Sequence, residues 1–172
     1  MSRSLAGVFV PVATPFQPAT ESLDEAALRS SLERLILAPI RGVLIAGTTG
    51  ESVFLTGDER KVLLEVARAV LPADRLLLAG AGAESTREAI RLTVEAAKAG
   101  ADFALVEAPA FYRRAMTSEL LAEHWREVAE GSPIPVILYI VPSSCGSVEI
   151  PEGLVSELST HPHIVGIKDS RG

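Results

Sequence analysis

The chain has 172 residues, of which 48% are hydrophobic and 22% charged, with 13 glycines and 11 prolines; this excludes a disordered chain and fits a folded globular domain. With 16 Lys and Arg against 22 Asp and Glu the net charge is -6, so no basic field exists to attract nucleic acid or an anionic membrane surface. The single cysteine, Cys145, excludes an internal disulfide, and the 3 histidines show no CxxC or HExxH spacing, so the expected chemistry is metal-free and the expected location cytoplasmic.

No apolar run approaches the roughly 18 residues of a membrane helix. Near the N-terminus, Val10-Pro11-Val12 interrupts what could be misread as a signal peptide, and the valine-rich run 7–14 reads as a first strand. Ser22-x-x-Glu25 has the form of a capping box, and Leu28, Leu32 and Leu35 follow at helical spacing, which predicts an amphipathic helix ending before Pro39. Residues 42–46 form the second predicted strand, and Thr56-x-x-Glu59 caps a helix carrying Val62, Val66 and Val70. After the third strand, 75–80, Ser85-x-x-Glu88 opens a helix with Ile90, Val94 and Ala97 on one face, and Gly100 stands where a left-handed C-cap is expected. The fourth strand is 101–108. Thr117 or Ser118 caps the next helix, which contains Leu121, Trp125 and Val128; strand five, 135–141, precedes a shorter helix over 151–158, and strand six is 164–168.

Six apolar strands separated by five helices predict a parallel sheet buried on both faces, hence an α/β fold, with residues 1–172 read as a single domain. Length alone favours an open doubly wound sheet over a (β/α)8 barrel, which takes about 250 residues. The strand ends argue otherwise.

After strand two, Gly47-Thr48-Thr49-Gly50-Glu51 sets two glycines around two hydroxyls, a loop able to offer N–H and OH donors to a carboxylate, although a plain turn needs the same glycines. Strand four ends in Pro109-Ala110-Phe111-Tyr112-Arg113-Arg114 and strand five in Tyr139-Ile140-Val141-Pro142, so two phenols stand where α/β folds place ligands. Strand six ends in Gly166-Ile167-Lys168-Asp169-Ser170. Desolvation at the end of a core strand favours a neutral, nucleophilic amine at Lys168; the plain alternative is a surface lysine just past the strand.

Together GTTGE, YIVP and GIKDS, with APAFYRR after strand four, resemble the dihydrodipicolinate synthase and N-acetylneuraminate lyase family of class I aldolases over the whole chain. The resemblance implies a TIM barrel, truncated here after strand six, and a homo-oligomer, tetramer or dimer, in the complete enzyme. It implies that Lys168 forms a Schiff base with pyruvate or a pyruvoyl compound, that Tyr139 moves the proton, and that Thr48 and Tyr112 form a hydroxyl relay, Tyr112 coming in many members from a neighbouring subunit. Thr49 matches the cradle of the pyruvate carboxylate, and Gly47, Ser144 and Ser170 complete the expected substrate-binding set; no cofactor is required. The synthases of the family usually carry an arginine at the position of Ser144, and a serine cannot supply its bidentate fork. LLLAGAGAEST, SPIPVILY and HPHIVGIKDS look closer to the 4-hydroxy-2-oxoglutarate aldolase branch. The expected function is therefore a Schiff-base-forming, pyruvate-type aldolase or lyase. The alternatives are 4-hydroxy-tetrahydrodipicolinate synthase activity and an inactive fragment lacking the last two strands, whose open edges would leave the isolated chain insoluble or dependent on a complementary piece.

Four further signals carry less. Gly80-Ala81-Gly82-Ala83-Glu84-Ser85 resembles a GxGxxG loop but has Ser85 as its third position; Cys145 has no histidine placed as a base; His124 reads as a solvated or core-edge residue, and His161-Pro162-His163 as a turn.

Overall fold

A computed structural model describes residues 4–141 and 150–171, which fall into two compact units: Met1–Gly80 with Ala99–Asp102, and Ala81–Lys98 with Phe103–Gly172. In the first, β1 (Phe9–Pro11), β2 (Gly42–Ile45) and β3 (Leu76–Gly80) run parallel in chain order, with Phe9 opposite Gly42 and Val43 opposite Leu77. Two helices, α1 (Glu25–Leu35) and α2 (Gly57–Val70), pack on each other, and α2 also packs on β2 and β3.

The start of α1 departs from the capping box read at Ser22. Phe16 and Leu23 form an antiparallel bridge that keeps the approach extended, and Asp24 is the cap, its Oδ1 accepting from the Ala27 N–H at 2.9 Å. The box at Thr56 is present in full: Thr56 Oγ1 accepts from the Glu59 N–H, and the Glu59 carboxylate accepts from the Thr56 N–H at 2.8 Å. The buried face of α2 is Leu63, Leu64, Val66 and Ala67 rather than the predicted line of three valines, of which Val62 and Val70 are only half-buried. A helix wedged between another helix and a sheet buries a broad stripe, which a single i, i+4 row does not describe. Gly100 has φ +87°, the left-handed conformation expected of it. The Asp102 carboxylate accepts from the Leu77 N–H at 2.8 Å and pairs with Arg68 at 3.4 Å.

The second unit holds α3 (Thr86–Lys98), β4 (Phe103–Glu107), α4 (Ser118–Gly131), β5 (Val136–Ile140), α5 (Glu152–Leu158) and β6 (Ile164–Asp169), its strands again parallel and in chain order. α4 lies between α3 and α5. It begins at Thr117, whose hydroxyl accepts from the Leu120 N–H, and buries Leu121, Trp125 and Val128 as its spacing predicts. Trp125 is fully buried, and its Nε1–H donates to the Val106 carbonyl at 3.3 Å, tying helix to strand. On α3 the buried residues are Ala89, Leu92, Thr93 and Ala96, turned from the predicted face of Ile90, Val94 and Ala97, because small residues there allow close approach to the neighbours.

Strands β2 to β5 are buried almost throughout, as the apolar runs require, whereas β1 and β6 are not. Each of these two has one strand neighbour among the described residues, and most of its residues are half-buried or exposed. No helix of the described residues is long and apolar enough to cross a membrane, and no group of three or more His, Cys, Asp and Glu side chains among them could hold a metal ion.

Candidate active site

In the first unit the loop after β2 is built from two short 3-10 turns, Thr48–Gly50 and Ser52–Phe54, which meet at Glu51. Ala46 and Glu51 adopt φ of 53° and 55°, so the chain turns sharply at both ends of the GTTG segment. The N–H groups of Gly50 and Ser52 donate to the Gly47 carbonyl and that of Glu51 to Thr48, while Thr14 Oγ1 donates to the Gly50 carbonyl at 2.7 Å. Arg60 reaches back from α2 to the Ser52 carbonyl at 2.5 Å. Gly47 and Gly50 are thereby buried and fixed, and Thr48 and Thr49 stand exposed at the crest, free of any packing duty. A backbone rigid at its base with hydroxyls at its crest suits the recognition of a small anion.

In the second unit β5 and β6 pair in register with Tyr139 opposite Lys168. Tyr139 is 5% exposed, and Lys168 Nζ lies 3.9 Å from the centroid of its ring. Lys168 is half-buried rather than enclosed, because β6 has β5 on one side only among the described residues. Ser170 follows in exposed chain, its N–H donating to the Ile140 carbonyl at 2.9 Å. Next to the lysine, Asp169 is gripped by Arg171 at 2.6 Å, which holds the Asp169 carboxyl below its ordinary range.

Tyr112 is 73% exposed and Phe111 77%, their rings edge to face with centroids 5.0 Å apart. The segment is anchored by Glu84, whose Oε2 accepts from the N–H groups of Ala110 and Phe111 at 3.0 and 2.9 Å. Sequence reading missed this anchor, since Glu84 lies 26 residues before Ala110 and no local pattern joins them. It also missed Glu107, which ends β4 opposite Tyr139; the visible signal was one charge closing the apolar strand FALVE.

His124 is buried at 6% exposure, not solvated: Nδ1 meets Thr86 Oγ1 at 2.9 Å, and Nε2 has no hydrogen-bond partner among the described residues. Burial pushes its imidazole down to about 4, with Glu84 opposing. The expectations for Ser144 and Cys145 lie outside the described residues. Of the predicted site residues, Gly47, Thr48 and Thr49 thus belong to the first unit, and Tyr112, Tyr139, Lys168 and Ser170 to the second, where Tyr139 and Lys168 are in contact.

The parallel strands in chain order with intervening helices define an α/β protein. The chain belongs to the dihydrodipicolinate synthetase family, whose model matches residues 4–172. It is 45% identical over 166 residues to a 4-hydroxy-tetrahydrodipicolinate synthase of Methanothrix thermoacetophila, covering 96% of this chain and 54% of that protein. It is 38% identical over 167 residues to the L-threo-3-deoxy-hexylosonate aldolase of Aspergillus niger, covering 94% and 50%. Among solved structures it matches the Acinetobacter baumannii dihydrodipicolinate synthase complexed with pyruvate, with a TM-score of 0.90, 34% identity and coverage of 96% of this chain and 56% of that one. The chain spans about half the length of the curated relatives it matches. Its fold is accordingly of the α/β TIM-barrel kind, and the open doubly wound sheet favoured by length alone is set aside.

Proposed function

We propose that this chain carries the site of a Schiff-base-forming, pyruvate-type aldolase or lyase that acts on 4-hydroxy-2-oxo acids, with residues 1–172 forming one partial barrel domain. The observation that carries this reading is the pairing of Lys168 with Tyr139, the amine 3.9 Å from the centre of a buried phenol ring. Nζ adds to the keto carbon, and the oxygen leaves as water, giving a protonated imine. Removal of the 4-hydroxyl proton then breaks the C3–C4 bond; its electron pair forms the enamine, and the distal fragment departs as an aldehyde. Protonation at C3 and hydrolysis return pyruvate and the free lysine. The imine is the electron sink, so the sequence of steps calls on no cofactor.

Tyr139 is the group that moves these protons, and because a phenol ordinarily titrates near 10, it needs the relay hydroxyls of Thr48 and Tyr112 to act near neutrality. Thr49 and Gly47 hold the carboxylate next to the keto group, and Ser144 and Ser170 complete the substrate-binding set. The exposure of Tyr112 supports its presentation to a neighbouring subunit of a cytoplasmic homo-oligomer.

The test is borohydride reduction in the presence of pyruvate followed by peptide mass analysis. A lactyl-type mass on the peptide containing Lys168 is expected; label on another residue, or none, overturns the reading. Synthase activity is the second reading, favoured by the 45% identity to a synthase. Condensation of pyruvate with aspartate semialdehyde should be negligible beside cleavage of 4-hydroxy-2-oxo acids in the full-length protein, and Ser144→Arg should raise it; a reversed preference would establish the second reading.

A further inference from the structure

The loop between β3 and α3 is held at both ends. At its start the Ala81 N–H donates to the Leu105 carbonyl at 2.9 Å, and Gly82 lies so close to β4 that a Cβ on it would stand 2.9 Å from the Glu107 backbone nitrogen. At its end Ser85 Oγ accepts from the Glu88 N–H at 3.3 Å, in the first turn of α3. Glu84 is mounted between these two fixings, so an exposed side chain springs from a fixed stretch of backbone. Its Oε2 receives the N–H groups of Ala110 and Phe111, two successive donors converging on one oxygen, the arrangement in which backbone holds an anion. Hydrogen bonds to a carboxylate are about twice as strong as those between neutral groups. Beyond Tyr112 the chain is fixed again: the Ala115 N–H donates to the Tyr112 carbonyl at 2.8 Å, closing the 3-10 turn Arg113–Ala115, and Thr117 caps α4. Tyr112 therefore lies between a carboxylate clamp and a turn, its ring exposed and edge to face with that of Phe111. Where packing leaves a ring in solvent, the backbone that carries it decides where its hydroxyl stands.

We infer that Glu84 is the positioning residue for Tyr112: its carboxylate, clamped on the Ala110 and Phe111 amides, sets where the Tyr112 hydroxyl is presented. The inference rests on the reading of Tyr112 as a relay hydroxyl and of Lys168 as the imine-forming residue, and Glu84 acts through Tyr112 rather than on the substrate. A relay hydroxyl passes a proton only from hydrogen-bond distance, and a misplacement of about 1 Å can cost about 10²-fold in rate. Turnover therefore depends on the clamp, whereas the capacity of Lys168 to be trapped by borohydride does not. Both donors are amides, so a single acceptor oxygen is what the clamp requires. A glutamine supplies one through its side-chain carbonyl, and an alanine supplies none.

The experiment uses the full-length protein and compares Glu84→Ala, Glu84→Gln, Tyr112→Phe and the double variant Glu84→Ala with Tyr112→Phe. For each, kcat is measured for cleavage of 4-hydroxy-2-oxoglutarate, or for condensation of pyruvate with aspartate semialdehyde should the wild type prefer that, and pyruvate trapping on Lys168 is read by mass. Glu84→Ala should lower kcat about tenfold with trapping retained, and Glu84→Gln should stay within about threefold of the wild type. In the Tyr112→Phe background Glu84→Ala should change kcat by less than about twofold, because the hydroxyl it positions is gone. Losses that simply multiply overturn the inference, since a residue that only supports the fold acts whether or not the hydroxyl is present. A glutamine variant as slow as the alanine variant overturns it too, as does an unchanged kcat in Glu84→Ala; with pyruvate still trapped, each of these leaves the Schiff-base reading intact. An unchanged kcat in Tyr112→Phe removes the relay hydroxyl and this inference together, again without touching Lys168. Failure of the wild type to trap pyruvate on Lys168 overturns the underlying reading itself. Should Glu84→Ala not fold, amide exchange in the wild type decides: slow exchange at Ala110 and Phe111 supports the clamp, and exchange at the rate of an open chain overturns it.

Discussion

Lys168 depends on a neighbour for its direction, because a long flexible stem at a half-exposed strand end has many rotamers, and the ring of Tyr139 narrows them. Two substitutions separate ring from hydroxyl and amine from charge. In Tyr139→Phe the ring that packs against Nζ remains while the hydroxyl proposed to move the protons is lost, so in the full-length protein kcat should fall about 10²-fold with pyruvate trapping retained; an equal loss in both would make Tyr139 a packing residue only. In Lys168→Arg trapping should vanish, since a guanidinium stays protonated and cannot attack a carbonyl. His124 makes a different prediction. An unfolded imidazole titrates near 6.5 and the buried one at about 4, so on acidification the unfolded chain takes up the proton first. Its contribution to stability is complete above about pH 6.5 and is lost as the pH falls toward 4, about 3 kcal/mol in all. Denaturant titrations from pH 7 to 5, above the range where carboxylates protonate, should show this slope in the wild type and a flatter one in His124→Gln.

At the scale of elements, caps and close approaches position the site. Thr56→Ala removes one half of the capping box of α2 and should cost about 1 kcal/mol in chemical denaturation, with Thr56→Ser restoring most of it. Gly80 matters more: a Cβ there would lie 1.9 Å from the Ala46 carbonyl oxygen, and backbone cannot yield as a flexible side chain does. Gly80→Ala should therefore destabilise by several kcal/mol, on the scale of overpacking in a close-packed core, and should disturb the GTTGE loop that starts one residue beyond Ala46. Proteolysis at the 48–52 turns would report that disturbance. The caps at Thr56 and Thr117 were legible in the sequence because capping is local chemistry, whereas the one at Asp24 was hidden by a matching pattern at Ser22 that a non-local bridge holds extended.

Over the whole molecule the net charge is -6, yet large apolar side chains also meet solvent, Val53 and Phe54 in one unit and the paired rings of Phe111 and Tyr112 in the other. Adjacent large rings left in water are suited to cover by a second copy. Sedimentation of the full-length protein should show a homo-oligomer, and Phe111→Asp should shift it toward smaller species while Lys168 keeps its capacity to trap pyruvate. A monomeric wild type would overturn the proposed presentation of Tyr112 to a neighbouring subunit.

The alternation of six apolar runs with five amphipathic segments was determined by the sequence alone, because strand and helix periods, Gly100 and the Thr56 box are properties of neighbours along the chain. The motif residues Gly47, Thr48, Thr49, Tyr112, Tyr139 and Lys168 could be picked out from the sequence, since each lies near or beyond the C-terminal end of a strand and within a motif that resembles the family's. Tertiary structure decided which faces of α2 and α3 are buried, that β6 leaves its lysine half-exposed, and that His124 is enclosed. It also decided the partners that stand far apart in the chain: Glu84 beneath Ala110 and Phe111, and Glu107 in register with Tyr139 and Lys168. Register is set by how strands meet across a sheet, and a single sequence carries no local mark of which residue will stand beside which.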